Sequence, residues 1–194
     1  MKTSIPSGLT PEAMRAREQF CARYEAHLRQ IAHIALNILV WGPNPKNQTQ
    51  VSQKRNEIRL RLIEDGHNAM FSEDIVTPAL GFSQKTVESV QAKLVDLVII
   101  LVEDSPGALA EAHDFCNHPD IAPRIMVMCP QKYRSGYSAT GALHLLQQAH
   151  GGVYWYKDKE LVSCNVMKRA RMRAQALREL RNQSELREVH NDLK

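Results

Sequence analysis

The run DLVIILV, residues 96–102, restricts the fold more than any other stretch. Six consecutive apolar residues leave no position for a solvated face. A strand of that kind suits a parallel sheet covered by helices on both sides. Four further candidate strands recur along the chain: LNILVW at 36–41, HNAMF at 67–71, RIMVMC at 124–129 and VYWY at 153–156. Helical segments separate them at 52–65, 84–95, 107–118 and 139–150, with Gly66 and the pair Gly151–Gly152 as stop signals. Strand–helix alternation gives βαβ units, so the expected class is α/β: a three-layer sandwich around a five-stranded parallel sheet, with the third strand or a neighbour at its middle.

Size fits that plan. The 194 residues, 43% hydrophobic and 24% charged, suit one domain over 1–194, with a core at about 36–156, an N-terminal helix over 11–34 and a C-terminal helix over 160–188. The first residues show no apolar signal region and no run reaches a membrane span, so a cytoplasmic location without membrane contact is expected. Cys21, Cys116, Cys129 and Cys164 lack CxxC spacing and fit a reducing compartment. The N-terminal segment sets Ala13, Ala16, Phe20, Tyr24, His27 and Ile31 near one helical face, to pack on the core or on a second subunit. Of the net charge of +4, the whole excess lies in residues 157–194, with 10 Lys/Arg against 6 Asp/Glu. Lys168, Arg169, Arg171, Arg173, Arg178 and Arg181 would bind a polyanion such as nucleic acid or form the solvated face of a terminal helix.

Ligands in open α/β sheets sit beyond the carboxyl ends of the strands, so the loops GPNPKNQ, EDSPGALAE and PQKYRSGYS should line one cleft. GxGxxG, GxxxxGK[ST] and GxSxG are all absent, which argues against dinucleotide-dependent redox chemistry, P-loop chemistry and a serine hydrolase. Glu111, His113, Cys116 and His118 do not converge on one helical face, so no metal is expected. Ser105, Pro106 and Gly107 turn strand into helix and offer backbone N–H groups to a phosphate. Glu111, one turn further in, either stabilises an electron-poor sugar carbon or is an exposed helix acid favoured by the macrodipole. In the loop after strand four, Arg134 would face a phosphate and Tyr137 would stack on a base, or the whole segment is a solvated turn.

Three elements carry a family resemblance. ILVWGPNP ends in Gly42–Pro43, followed by Asn44; Asp96 opens the third strand with Glu88 eight positions earlier; and Ser105 precedes Glu111 by six. Over about 36–156 the chain resembles the nucleoside 2-deoxyribosyltransferase-like superfamily, a flavodoxin-like fold that includes deoxynucleoside-monophosphate N-glycosidases and is architecturally close to TIR-domain NAD glycohydrolases. It departs from the transferases where they carry Asp at the position of Ser105 and Leu-Gly at the positions of Ala112 and His113. SPGALAE, PQKYRSGYS, TGALHLL and VYWY together are similar to toxin-type effectors found beside bacterial retrons.

The resemblance implies an N-glycosidase, needing no cofactor, that cleaves NAD or a (deoxy)nucleotide in antiphage defence. Glu111 and Glu88 would be catalytic; Gly42, Pro43, Asn44, Ser105, Gly107, Arg134 and Tyr137 would bind substrate. It further implies a homo-oligomer and a nucleic-acid or reverse-transcriptase-type partner. A nucleotide-sensing module of the same fold without chemistry is the alternative.

Overall fold

A computed structural model describes residues 10–75, 81–103 and 106–192, the side chains of 106–108, 111, 138 and 185–192 excepted. It comprises two compact units, residues 1–34 and 35–194.

In the first unit, α1 spans Pro11–Ile31. Thr10 caps it by accepting the Ala13 N–H at 3.2 Å, and Pro11 occupies the first helical position, where a missing N–H costs nothing. Phe20 and Tyr24 are exposed, with ring centroids 6.2 Å apart.

The second unit runs β1 (Asn37–Trp41), α2 (Gln50–Glu64), β2 (Asn68–Met70), α3 (Gln84–Leu94), β3 (Leu97–Leu101), α4 (Pro106–Cys116), β4 (Ile125–Pro130), α5 (Tyr137–Thr140), α6 (Ala142–His150), β5 (Val153–Tyr156), α7 (Asp158–Val162) and α8 (Asn165–Asp192). The strands are all parallel, in the order β2-β1-β3-β4-β5. That is the flavodoxin-like order. β3 is central and every one of its residues is buried, as its unbroken apolar run requires.

Alternate residues of each strand feed two cores. On one face Ile38, Val40, Ile99 and Leu101 pack with Val51, Ile58 and Leu62 of α2 and Val166, Ala170 and Ala174 of α8. On the other, Leu39, Trp41, Val98, Ile100 and Val127 pack with Ala92 of α3, Phe115 of α4 and Leu143 and Leu146 of α6. The C-terminal helix is therefore half of one covering layer, and the small residues at 166, 170 and 174 let it lie close to the sheet. Two expected helices are interrupted. Ser163 and Cys164 separate α7 from α8, and Gly141 separates α5 from α6. No helix among the described residues is long and apolar enough to cross a membrane.

Candidate functional site

β1 and β3 are neighbours, but the chain leaves them in opposite directions: α2 covers one face and α4 the other. Their carboxyl ends thus form the switch-point crevice of the sheet. Gly42 forms its floor. Its φ of +146° is open only to glycine, and a Cβ there would lie 2.9 Å from the Leu101 carbonyl oxygen, at the end of β3.

The turn that follows is held by a residue that the loop motifs do not reveal. Arg55 of α2 is fully buried. Its Nε and one terminal nitrogen donate to the Val40 carbonyl at 3.0 and 2.8 Å; the other donates to the Gly42 and Pro43 carbonyls at 3.1 and 2.9 Å. The same guanidinium grips Glu73, just after β2, at 2.8 and 2.6 Å and stacks 4.3 Å from the Phe71 ring. Burial alone would raise the Glu73 carboxyl, but hydrogen bonds from Arg55 and the local backbone, together with the Arg55 charge, hold it below its ordinary range. One buried cation therefore fixes the loops after β1 and β2 against each other. The sequence signal for it is spacing: Val51, Arg55, Ile58 and Leu62 form one buried stripe, with an arginine where a core residue is due.

Several expected site residues reach this edge. Gly42 and Pro43 lie in the Arg55-held turn, where their carbonyls are already engaged. Asn44 is exposed, and its side-chain oxygen accepts the Lys46 N–H at 2.9 Å. Beyond β4, Arg134 is exposed and Tyr137 is 84% exposed, with its ring 6.2 Å from that of His113 on α4. Tyr156 at the end of β5 donates from its hydroxyl to the Val102 carbonyl at 2.8 Å, fixing the exit of β3. Ser105 lies outside the described residues. Gly107 lies in the first turn of α4 and position 111 one turn further on; the Glu111 side chain is also outside the described residues.

Glu88 stands lower. Lys85 at the start of α3 bridges to Asp114 of α4 at 2.7 Å. Glu88 is one turn below Lys85 and position 111 one turn above Asp114. Glu88 accepts from Gln84 at 2.8 Å.

Cys116 and Cys129 are buried, and burial pushes both thiols up to about 12, so neither supplies a thiolate at neutral pH. The basic stretch of α8 is largely engaged. Arg171 pairs with Asp65, Arg178 is buried against the Asp65 carbonyl, Arg181 meets Asp96, and Arg169 lies over Tyr154. An open hollow of about 310 Å³ beside β5 is lined by Tyr154, Glu160, Asn165, Lys168, Arg169 and Met172.

The sequence model of the STM3845 retron effector protein family matches residues 51–193, from α2 to the end of α8. The chain belongs to that family. No curated protein matches it. Membership makes this chain a retron effector and places it in antiphage defence. The matched span includes Arg55, Glu73, Glu88, Ser105, Glu111, Arg134 and Tyr137, and begins after the Gly42–Pro43 turn that Arg55 holds.

Proposed function

We propose that this retron effector is an N-glycosidase that cleaves NAD or a (deoxy)nucleotide at the carboxyl edge of its sheet. The observation carrying the reading is the switch-point crevice itself: the Arg55-held Gly42–Pro43 turn on one side and the opening of α4, with Glu111 one turn in, on the other. Breaking an N-glycosidic bond builds positive charge on the ribosyl carbon. The Glu111 carboxylate would stabilise that charge from the side opposite the departing base. In hydrolysis the oxygen of water bonds to C1′ and the C–N bond breaks; with a nucleotide the proton given up by water ends on the base, and with NAD the nicotinamide leaves neutral and that proton goes to solvent. Backbone N–H groups at the start of α4, with Ser105, would seat a phosphate. Arg134 adds charge and Tyr137 an exposed aromatic face for stacking. Glu88 would meet the sugar hydroxyls. A reverse-transcriptase-type partner would hold the enzyme silent until infection.

The test is direct. Purified protein is incubated with NAD and with a panel of ribo- and deoxynucleotides, and free base is followed by chromatography. Released base supports the reading; intact substrates across the panel defeat it.

A further inference from the structure

β5 is the last strand of the sheet, and only β4 pairs with it. The Val127 N–H donates to the Gly152 carbonyl at 2.7 Å, in a register that sets Val127 against Val153 and Cys129 against Trp155. A parallel ladder uses alternate residues of each strand, so Gly152, Tyr154 and Tyr156 bond to β4 while the N–H and C=O groups of Val153 and Trp155 point outward. Nothing among the described residues donates to or accepts from those four groups. Val153, Tyr154 and Trp155 are half-buried, where every residue of β4 is buried. Edge strands are ordinarily blunted by lysine or proline, and VYWY carries neither.

The hollow of about 310 Å³ opens beside this edge, between Tyr154 and α8. Its one acid is already engaged: Glu160 accepts the Tyr154 hydroxyl at 2.8 Å, the Lys157 N–H at 2.7 Å and the Asn165 amide at 3.5 Å. Its two cations are not. Among the described residues neither Lys168 nor Arg169 pairs with a carboxylate, and Arg169 lies 5.1 Å over the Tyr154 ring. Met172, 61% exposed, adds apolar surface. A strand laid along β5 would set its α8-side residue beside Tyr154, at the ~5 Å spacing of neighbouring strands and within reach of these cations.

We propose that the free edge of β5 and the hollow beside it form a docking groove for an extended acidic segment of a partner protein, which adds a sixth strand to the sheet. Main-chain bonds to Val153 and Trp155 hold the segment, and a carboxylate meeting Lys168 and Arg169 selects it. A second copy of the chain is the poorer occupant. Pairing β5 with itself about a two-fold axis would place both α8 helices on one face and turn Lys168 and Arg169 towards their own equivalents. The groove is separated from the β1–β3 crevice by β4 and requires no turnover there.

A displayed library of random ten-residue peptides is selected on the full chain, and the binders are synthesised and titrated. They should share apolar residues alternating with an acid at a fixed position. On binding, the amide hydrogens of Val153 and Trp155 should become protected from exchange with solvent. Val153→Pro, which removes an outward N–H and no bond to β4, should weaken binding about tenfold, and Lys168→Glu with Arg169→Glu at least as much. Selection that yields no binder overturns the proposal. So do binders without an acid, binders that leave the two amides unprotected, and binders that the charge-reversed variant takes equally well. Protection of both amides in the protein alone, rising with its concentration, would give the edge to a second copy instead. A single-stranded oligonucleotide that binds where no peptide does, and is lost with Lys168→Glu and Arg169→Glu, would give the hollow to nucleic acid.

Discussion

The two ends of the sheet use the same kinds of residue and differ in how many side-chain bonds tie them to the elements around them. At the amino end, Asp96 accepts the Asn37 N–H at 2.8 Å and meets Arg181 at 3.2 Å, Arg171 grips Asp65, and His67 Nδ1 lies 3.3 Å from both the Leu36 nitrogen and Arg178. Arg124 adds bonds to the Lys93 and Val95 carbonyls at 2.8 and 2.9 Å. The carboxyl end has one comparable construction among the described residues, Arg55 with Glu73. The amino end is thus closed by α8. The carboxyl end is held chiefly at one point, the Arg55 guanidinium.

The largest effect expected from testing that difference is at Arg55. Arg55→Ala strands three carbonyls and Glu73, and should lower stability by about 3–5 kcal/mol, read from the denaturant midpoint. A loss below about 1 kcal/mol would show that the turn does not depend on its buried cation.

At the amino end a pH effect of nearly that size is expected. Burial, assisted by Arg178, lowers His67 from 6.5 to about 4. Its Nδ1 accepts the Leu36 N–H, so the folded protein holds the ring neutral, whereas the unfolded chain takes up a proton near pH 6.5. The unfolded state binds more protons between those values, so stability is fully present above about pH 6.5 and falls by about 3 kcal/mol as pH drops towards 4. Urea melts of wild type and His67→Gln across that range check it: the variant should lose this part of the slope, and equal slopes would contradict it.

The smallest effect sharpens the contrast. Arg171 and Asp65 are partly exposed, with side-chain accessibilities of 36% and 23%, so Arg171→Ala should cost only about 1 kcal/mol and leave ligand binding at the far end unaltered. A change in affinity there would mean that the two ends are coupled.

Much of the scaffold was legible because it depends on local pattern. The run 96–102 predicts the central strand, and the expected strand at 153–156 is β5 as it stands. The interruptions at Ser163–Cys164 and Gly141 were missed, since helical periodicity continues across both. Arg55 was hidden for a different reason: a charged residue on a helix ordinarily faces solvent, and only the set of carbonyls brought to it by Val40, Gly42 and Pro43 makes its burial tolerable. The basic stretch of α8 read as one surface, yet its partners, Asp65 and Asp96, lie some hundred residues away in the chain. Strand order and loop content are what lead one to expect a crevice at the carboxyl ends of β1 and β3.

The most direct measurement of whether chemistry belongs to the carboxyl end is base release by three proteins side by side: wild type, Glu111→Gln and Arg171→Ala. Wild type and Arg171→Ala should free base at the same rate, and Glu111→Gln, folded like wild type, should be slower by roughly 10² or more. A well-folded Glu111→Gln protein that frees base at the unmutated rate would contradict the glycosidase and the role given to the mouth of α4.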